Sequence, residues 1–416
     1  MSKNKMLNLL SLFSGCGGMD LGFEGNFAVL NKSINPHIHK DWVHKKDDKH
    51  WVTLPRTRFN TVFANDILAE AKASWTPYFV GRGIDRSIFH HESIVDLVKR
   101  HRNGEIIFPT NVDVVTGGFP CQDFSVAGKR NGFNSRKAHH GGFLNQNDAP
   151  TEENRGKLYM WMRHVVDIVK PKVFIAENVK GLVSLADAKE IIQNDFASVG
   201  NSGYLVVNAR VIKAIDYGIP QTRERVVFMG FRKNALTAQA LKYLAKEPIQ
   251  PQFDPYPIKT HSAMEDSVDL MPFVTVRDAL VGLPEPELSS DLAHQTFSKA
   301  KWYGFHCQGQ KEINLSKPGP TIRAEHHGNI EFRRLTKDHG GKNEFELKER
   351  RLTVRECARI QTFPDNYEFV RNNLESGEEF SLSGSDGYRV IGNAVPPLLA
   401  FHIAWRLQKL WPKLFK

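Results

Sequence analysis

The sequence predicts an α/β chain built on a mostly parallel, doubly wound sheet, with a smaller irregular module inserted near its end. Three observations predict it. Short apolar runs recur over the first 231 residues, each closing on a glycine turn or a carboxylate and leading into a helical pattern. Leu158, Trp161, Met162, Val165, Val166 and Val169 carry helical periodicity between two such runs, and Pro171 ends it. From Arg232 the alternation stops, and prolines such as Pro251, Pro255, Pro257, Pro284 and Pro286 break the pattern up to about Lys348.

Composition narrows the function classes. With 416 residues and 41% hydrophobic content the chain can bury a large core. A net charge of +10 and a pI near 9.3 permit a polyanionic partner without requiring one. The four cysteines, Cys16, Cys121, Cys307 and Cys357, are too few and too dispersed for a disulfide scaffold or a paired-cysteine zinc site, which fits a reducing, cytoplasmic setting. The apolar run after Lys5 reaches Gly15 within ten residues, too short for a signal or spanning helix.

In order along the chain, Leu7 to Phe13 is a strand running into Ser14-Gly15-Cys16-Gly17-Gly18, with a helix expected over Met19 to Leu30. Such a turn offers backbone N–H groups to a nucleotide-like ligand, although ordinary tight turns look the same. Residues 31–60, rich in His and Lys, are expected to form a surface insertion rather than a metal site. Thr61 to Asp66 is the second strand. Asp66 can accept ribose hydroxyls, or cap a helix starting at Ile67, or do both. Ser87 to Arg100 forms another short unit.

Asp113 to Gly118 then delivers Phe119-Pro120-Cys121-Gln122 to the exit of a buried strand, where open α/β sheets keep their ligands. Taken alone, Cys121 reads as a small buried hydrophobe; its glycines, Pro120 and the basic stretch after it favour a chemical role. That stretch holds Lys129, Arg130, Arg136 and Lys137 with no acid between Asp123 and Asp148, which suits phosphate contact as well as a solvated face. Lys172 to Val179 is the next strand, and Glu177 near its end must be paired or put to use. Tyr204 to Ala214 and Arg225 to Phe231 complete the series. Arg223 and Arg225 are expected to point the same way. After the irregular module, Arg351 to Pro364 is an amphipathic helix with Thr353 and Glu356 in capping-box spacing, and Cys357 reads as packing.

Six stretches together resemble the C5-cytosine DNA methyltransferase family: the Phe13 to Gly18 turn, Gly118 to Gln122, Glu177-Asn178-Val179, Gln221-x-Arg223-x-Arg225, Arg351 to Pro364, and Gly392-Asn393-Ala394-Val395-Pro396-Pro397. The resemblance implies a Rossmann-like methyltransferase domain over 1–231, a target-recognition domain over 232–350, and a return segment over 351–416 that completes the first domain. It implies S-adenosylmethionine as cofactor, S-adenosylhomocysteine as product, and no metal. Cofactor contacts are expected from Phe13, Gly15, Cys16, Gly17, Gly18, Asp66, Ile67, Ser93, Ile94, Pro120, Asn393 and Val395, though Cys16 also reads as a packing residue in the turn. At Ser93 the chain departs from the family, which usually has an Asp there, so the adenine contact falls to Ser93, Glu92 or a backbone amide.

The implied chemistry assigns Cys121 as the nucleophile at C6 of cytosine, Glu177 to N3, Arg223 to the base O2 and Arg225 to the carboxylate. The target base must leave the duplex, a general property of enzymes that act on bases, methyltransferases included. Double-stranded DNA is the expected partner, contacted by Gln122, Ser125, Lys129, Arg130, Arg323, Arg333 and Arg334. A monomer, and a separately acting restriction endonuclease, are the family's usual setting. An RNA cytosine methyltransferase and a catalytically silent DNA-binding protein are the rival readings; the long module and the retention of Cys121, Glu177, Arg223 and Asn393 favour neither.

Overall fold

The computed structural model describes residues 5–43, 45–46, 48–120, 158–184, 187–263, 269–300, 312–324, 332–333, 350–372 and 381–416. Its centre is a seven-stranded sheet of β1 (Leu7–Leu12), β2 (Phe59–Asp66), β3 (Phe89–His91), β4 (Val114–Gly117), β5 (Val173–Val179), β6 (Tyr204–Lys213) and β7 (Glu224–Arg232), in the order β3-β2-β1-β4-β5-β7-β6. Only β7 runs antiparallel to its neighbours.

Both faces of the sheet are covered, so its strands read as continuous apolar runs and period two divides them between two cores. Leu7, Leu9, Val114, Val173 and Ile175 face one side, together with α1 (Gly18–Glu24), α2 (Ala69–Gly81) and the C-terminal helices. Leu10, Leu12, Val115, Phe174 and Ala176 face the other, under α3 (Ile94–Arg102), α4 (Leu158–Val169) and α5 (Ala188–Ala197).

Several expectations change. The first helix stops at Gly25, whose φ of 70° lies in the left-handed region, and Ala28–Leu30 instead enters a small three-stranded sheet. The second helix begins at Ala69, not Ile67. The 31–60 insertion is anchored rather than superficial: Trp42 is fully buried against Phe401, His402 and Trp405. Composition had hidden a single aromatic anchor among charges.

The composition change at Arg232 does not coincide with a break in the core. Leu236, Phe253, Tyr256, Val276, Ile313, Leu315 and Ile322 all join the core on the α1 face. The expected capping box at Thr353 is present, but α6 (Val354–Ile360) is buried on every side rather than amphipathic. Its charges are matched: Arg350 with Glu356 at 2.8 Å, Arg355 with Asp291 at 2.5 Å and Arg359 with Asp365 at 2.5 Å. Cys357 is fully buried packing. The chain closes with α7 (Gly384–Asn393) and α8 (Pro397–Leu414), the latter packed directly on α1.

Candidate active site

A cavity of about 450 Å³ opens at the carboxyl ends of β1, β2, β4 and β5. That is where an open parallel sheet leaves room between diverging connections, and the volume suits a cofactor-sized ligand. Phe13, Gly15, Gly18, Asp66, Ile67, Ser93, Ile94, Pro120, Glu177, Arg223, Arg225, Asn393 and Val395 all line it, so thirteen expected site residues from seven stretches of chain meet in one place.

The glycine turn is tied to the second strand. Ser14 N–H donates to the Asn65 carbonyl at 2.9 Å, and Gly15 N–H donates to Asp66 Oδ2 at 2.9 Å. Asp66 Oδ1 accepts from Leu68 N–H at 3.0 Å, so this carboxylate braces the turn without capping the helix, whose N-cap is Leu68. Burial pushes its pKa up, opposed by the amides of Leu68, Gly15 and Ile67. Phe13 itself sits at φ 52°, a conformation that the surrounding hydrogen bonds must hold. A Cβ at Gly15 would meet nothing within 4 Å, which leaves an open cradle on the cavity side. These features fit a nucleotide-like cofactor.

Cys16 and Gly17, expected at the cofactor, do not line the cavity. The Cys16 thiol is fully buried and donates to the Val390 carbonyl at 3.3 Å, and burial pushes its pKa far up, which makes it inert packing. Gly17 faces α2: a Cβ there would fall 2.5 Å from the Phe79 ring.

On the adenine side implied by the resemblance, Ser93 caps α3 by accepting from Val95 N–H at 3.3 Å. Asn65 Nδ2 donates to the His90 and Glu92 carbonyls at 2.9 and 2.8 Å, fixing that edge. Glu92 also lines the cavity, and Arg100 lies 2.8 Å from its carboxylate.

At the other end, Arg225 Nε lies 2.7 Å from Glu177 Oε1, while Arg225 Nη1 donates to the Glu224 carbonyl at 2.8 Å. Among the described residues Glu177 Oε1 takes no aligned hydrogen bond, so the pair is a close charge contact rather than a directed one. Gly118 explains how the carboxylate fits: a Cβ there would sit 3.2 Å from Glu177 Oε2. Gly117 instead makes room for Met162, since a Cβ there would fall 2.8 Å from its Sδ.

Asn178 was missed by sequence reasoning. It is buried, and its Nδ2 donates to the Phe119 carbonyl at 3.0 Å, tying the end of β5 to the Phe119-Pro120 turn. A buried amide beside a strand-end acid was the available signal.

Arg223, expected to hold the base O2, lines the cavity and donates Nη1 to the Ile322 carbonyl and Nη2 to the Gly392 carbonyl, both at 2.9 Å. Gln221 completes this seam through the Ile360 carbonyl at 2.9 Å and Gln361 Oε1 at 2.5 Å, and Gln361 reaches the Ala394 carbonyl at 2.6 Å. Arg323 runs against the same wall, since a Cβ at Gly392 would lie 2.1 Å from its carbonyl carbon.

Cys121, Gln122, Ser125, Lys129, Arg130 and Arg334 lie outside the described residues. Arg333 belongs to the short strand Phe332–Arg333, paired with Arg350–Arg351. Among the described residues no group of three His, Cys, Asp or Glu is placed to hold a metal, and no helix is long and apolar enough to cross a membrane.

Comparison with known proteins places this geometry. The model of a family described as C-5 cytosine-specific DNA methylase matches residues 7–141 and 146–409. The Type II methyltransferase M.BsuRI of Bacillus subtilis is 31% identical over 96% of this chain and 78% of its own length. The Type II methyltransferase M.BspRI of Lysinibacillus sphaericus is 31% identical over 97% and 81%. Among solved structures, the S. pombe Dnmt2 methyltransferase superposes with a TM-score of 0.54 at 16% identity, covering 97% of this chain and 99% of that one. The Entamoeba histolytica methyltransferase EhMeth gives 0.54 at 15%, covering 98% and 99%; both likenesses are of fold.

Proposed function

The chain belongs to the C-5 cytosine-specific DNA methylase family and is a DNA cytosine-5 methyltransferase, and from that premise we propose how its residues divide the work. Cys121 adds as a thiolate to C6 of a cytosine turned out of a short specific duplex sequence. Glu177 donates a proton to N3 as C6 is attacked, which neutralises the charge that addition places on the ring, and takes it back when Cys121 leaves. Arg225, 2.7 Å from the carboxylate, keeps Glu177 aimed into the cavity. S-adenosylmethionine, when bound, supplies an electrophilic sulfonium methyl. Loss of the C5 proton to a base and departure of Cys121 then restore the ring.

One observation carries this division: Glu177 and the Phe119-Pro120 turn that immediately precedes Cys121 line one cavity with the glycine cradle and Asp66. Asn178 and Gly118 hold the turn and the carboxylate within reach of each other. Arg223 acts as a positioning residue, bracing Gly392 beside the wall residue Asn393.

The Type II methyltransferases among the relatives support a role in a restriction-modification system; a separately acting endonuclease and a monomer on duplex DNA complete the proposal. The expected result is transfer of labelled methyl from S-adenosylmethionine to duplex DNA and none to tRNA. Duplexes carrying 5-fluorocytosine in the methylated context should trap the protein covalently. Label entering tRNA and not DNA would defeat the proposal.

A further inference from the structure

One buried charge beside the cavity has no part in the chemistry above. Asp20, in the first turn of α1, is fully buried. Trp75 Nε1 donates to its Oδ2 at 2.7 Å, and its Oδ1 takes no hydrogen bond among the described residues. The Ser11 hydroxyl stands against the carboxylate. Ser11 lines the cavity, as do Gly18 and Met19 just before Asp20, so the carboxylate lies one layer behind the cofactor wall.

The charged and titratable groups that face Asp20 are Glu24 on the same helix, Cys16 in the turn and Tyr367. No cation is among them. Arg82 is directed to Glu24, 3.8 Å away, and burial holds Cys16 and Tyr367 in their neutral forms. An uncompensated buried carboxylate destabilises a fold unless something offsets it.

We propose that Asp20 is a specificity-determining residue that favours S-adenosylmethionine over S-adenosylhomocysteine by charge, acting through the Ser11 wall on the sulfonium that only the former carries. The inference rests on the cofactor reading above. The two ligands share adenine, ribose and amino acid, and they differ by one methyl and one positive charge. A fixed negative charge in a poorly screened site holds the cation and releases the neutral product. Desolvation pushes the Asp20 pKa up to about 7, so the discrimination is expected to be switchable by pH.

The test is calorimetric titration of the full-length protein with each ligand between pH 6 and pH 8.5, beside Asp20→Asn. The amide keeps an acceptor for Trp75 and removes the charge. In the wild type, the ratio of the S-adenosylhomocysteine Kd to the S-adenosylmethionine Kd should rise on the order of fivefold from pH 6 to pH 8. Near pH 7, S-adenosylmethionine binding should release more protons from the wild type than from the variant, as read in buffers of different ionisation enthalpy. Titration of the ligand's own amino group is common to both proteins and cancels between them.

Trp75→Phe gives an independent check, because losing the indole donor should move the midpoint to higher pH. A ratio with the same pH course in wild type and Asp20→Asn, or a midpoint unmoved in Trp75→Phe, would overturn the inference while leaving the cofactor reading intact. Failure of the wild type to bind either ligand would overturn both.

Discussion

Two sets of titratable groups, one near the glycine turn and one around the closing helix α8, are pushed in opposite directions by burial. Around the glycine turn lie Asp20, Glu24 and Asp66, carboxylates whose pKa values are raised by burial. On and beside α8 lie His402, His39 and His261, whose values burial lowers, His39 to about 4. The histidines are neutral packing units. His39 stacks on Trp42 with ring centroids 3.8 Å apart, His402 meets Trp42 edge-on at 4.5 Å, and His402 and His261 donate to the Tyr217 and Lys32 carbonyls. Of the carboxylates, Asp66 lines the cavity and Asp20 stands behind its Ser11 wall, where negative charge has a use. Burial therefore serves stability on one side of the molecule and function on the other.

The largest expected contrast is between Glu177 and Trp42. Glu177→Gln should lower methyl transfer by roughly 10²- to 10⁴-fold with the thermal midpoint nearly unchanged, as measured by initial rates and calorimetry. Trp42→Ala should do the reverse, removing about 3–5 kcal/mol of stability in denaturant titration while a protein still folded at low temperature binds S-adenosylmethionine as before. If both variants lose activity and stability together, the division between the clusters fails.

Asp20→Asn sharpens the comparison. The folded pKa of Asp20 is raised, so the folded state holds a proton through a range in which the unfolded chain has released it. Burial of this group is thus most unfavourable above pH 7, and the penalty fades as pH falls from about 7 towards 4. The variant should be more stable than wild type by roughly 2–4 kcal/mol at pH 8 and close to it near pH 4. A buried charge that lowers stability fits the discriminating role inferred for it.

The smallest effect has the opposite sign with pH. The folded pKa of His39 is lowered, so stability is intact above pH 6.5 and is lost as pH falls towards about 4, because the unfolded chain takes up the proton first. Each pH unit in that window should remove up to about 1.4 kcal/mol per histidine. His39→Gln removes one such site, so the stability gap between wild type and variant should narrow on acidification. A gap constant from pH 7 to pH 4 would show that His39 is not held neutral.

The sheet was legible because its strands end on residues with few other reasons to be there: the Gly15 to Gly18 turn, Asp66, Gly117 and Glu177. The Glu177–Arg225 pair was legible too, since a strand-end acid needs a cation and the neighbouring strand supplied one. What escaped depended on distant chain. Strand alternation gives Arg223 the same direction as Arg225, but its carbonyl partners stand 99 and 169 residues further along, where spacing could not show them. Trp42 escaped because the composition of a whole segment outweighed one aromatic. The α6 helix looked amphipathic because its arginines are charged, yet Asp291 and Asp365 reach in to match them.

The central claim is tested most directly by bisulfite sequencing of unmethylated plasmid DNA incubated with S-adenosylmethionine and either the wild-type protein or Cys121→Ser. The account predicts protected cytosines in one short sequence context with the wild type and none with the variant. Folded, cofactor-binding wild type that leaves every cytosine convertible, or protection that survives Cys121→Ser, would contradict it.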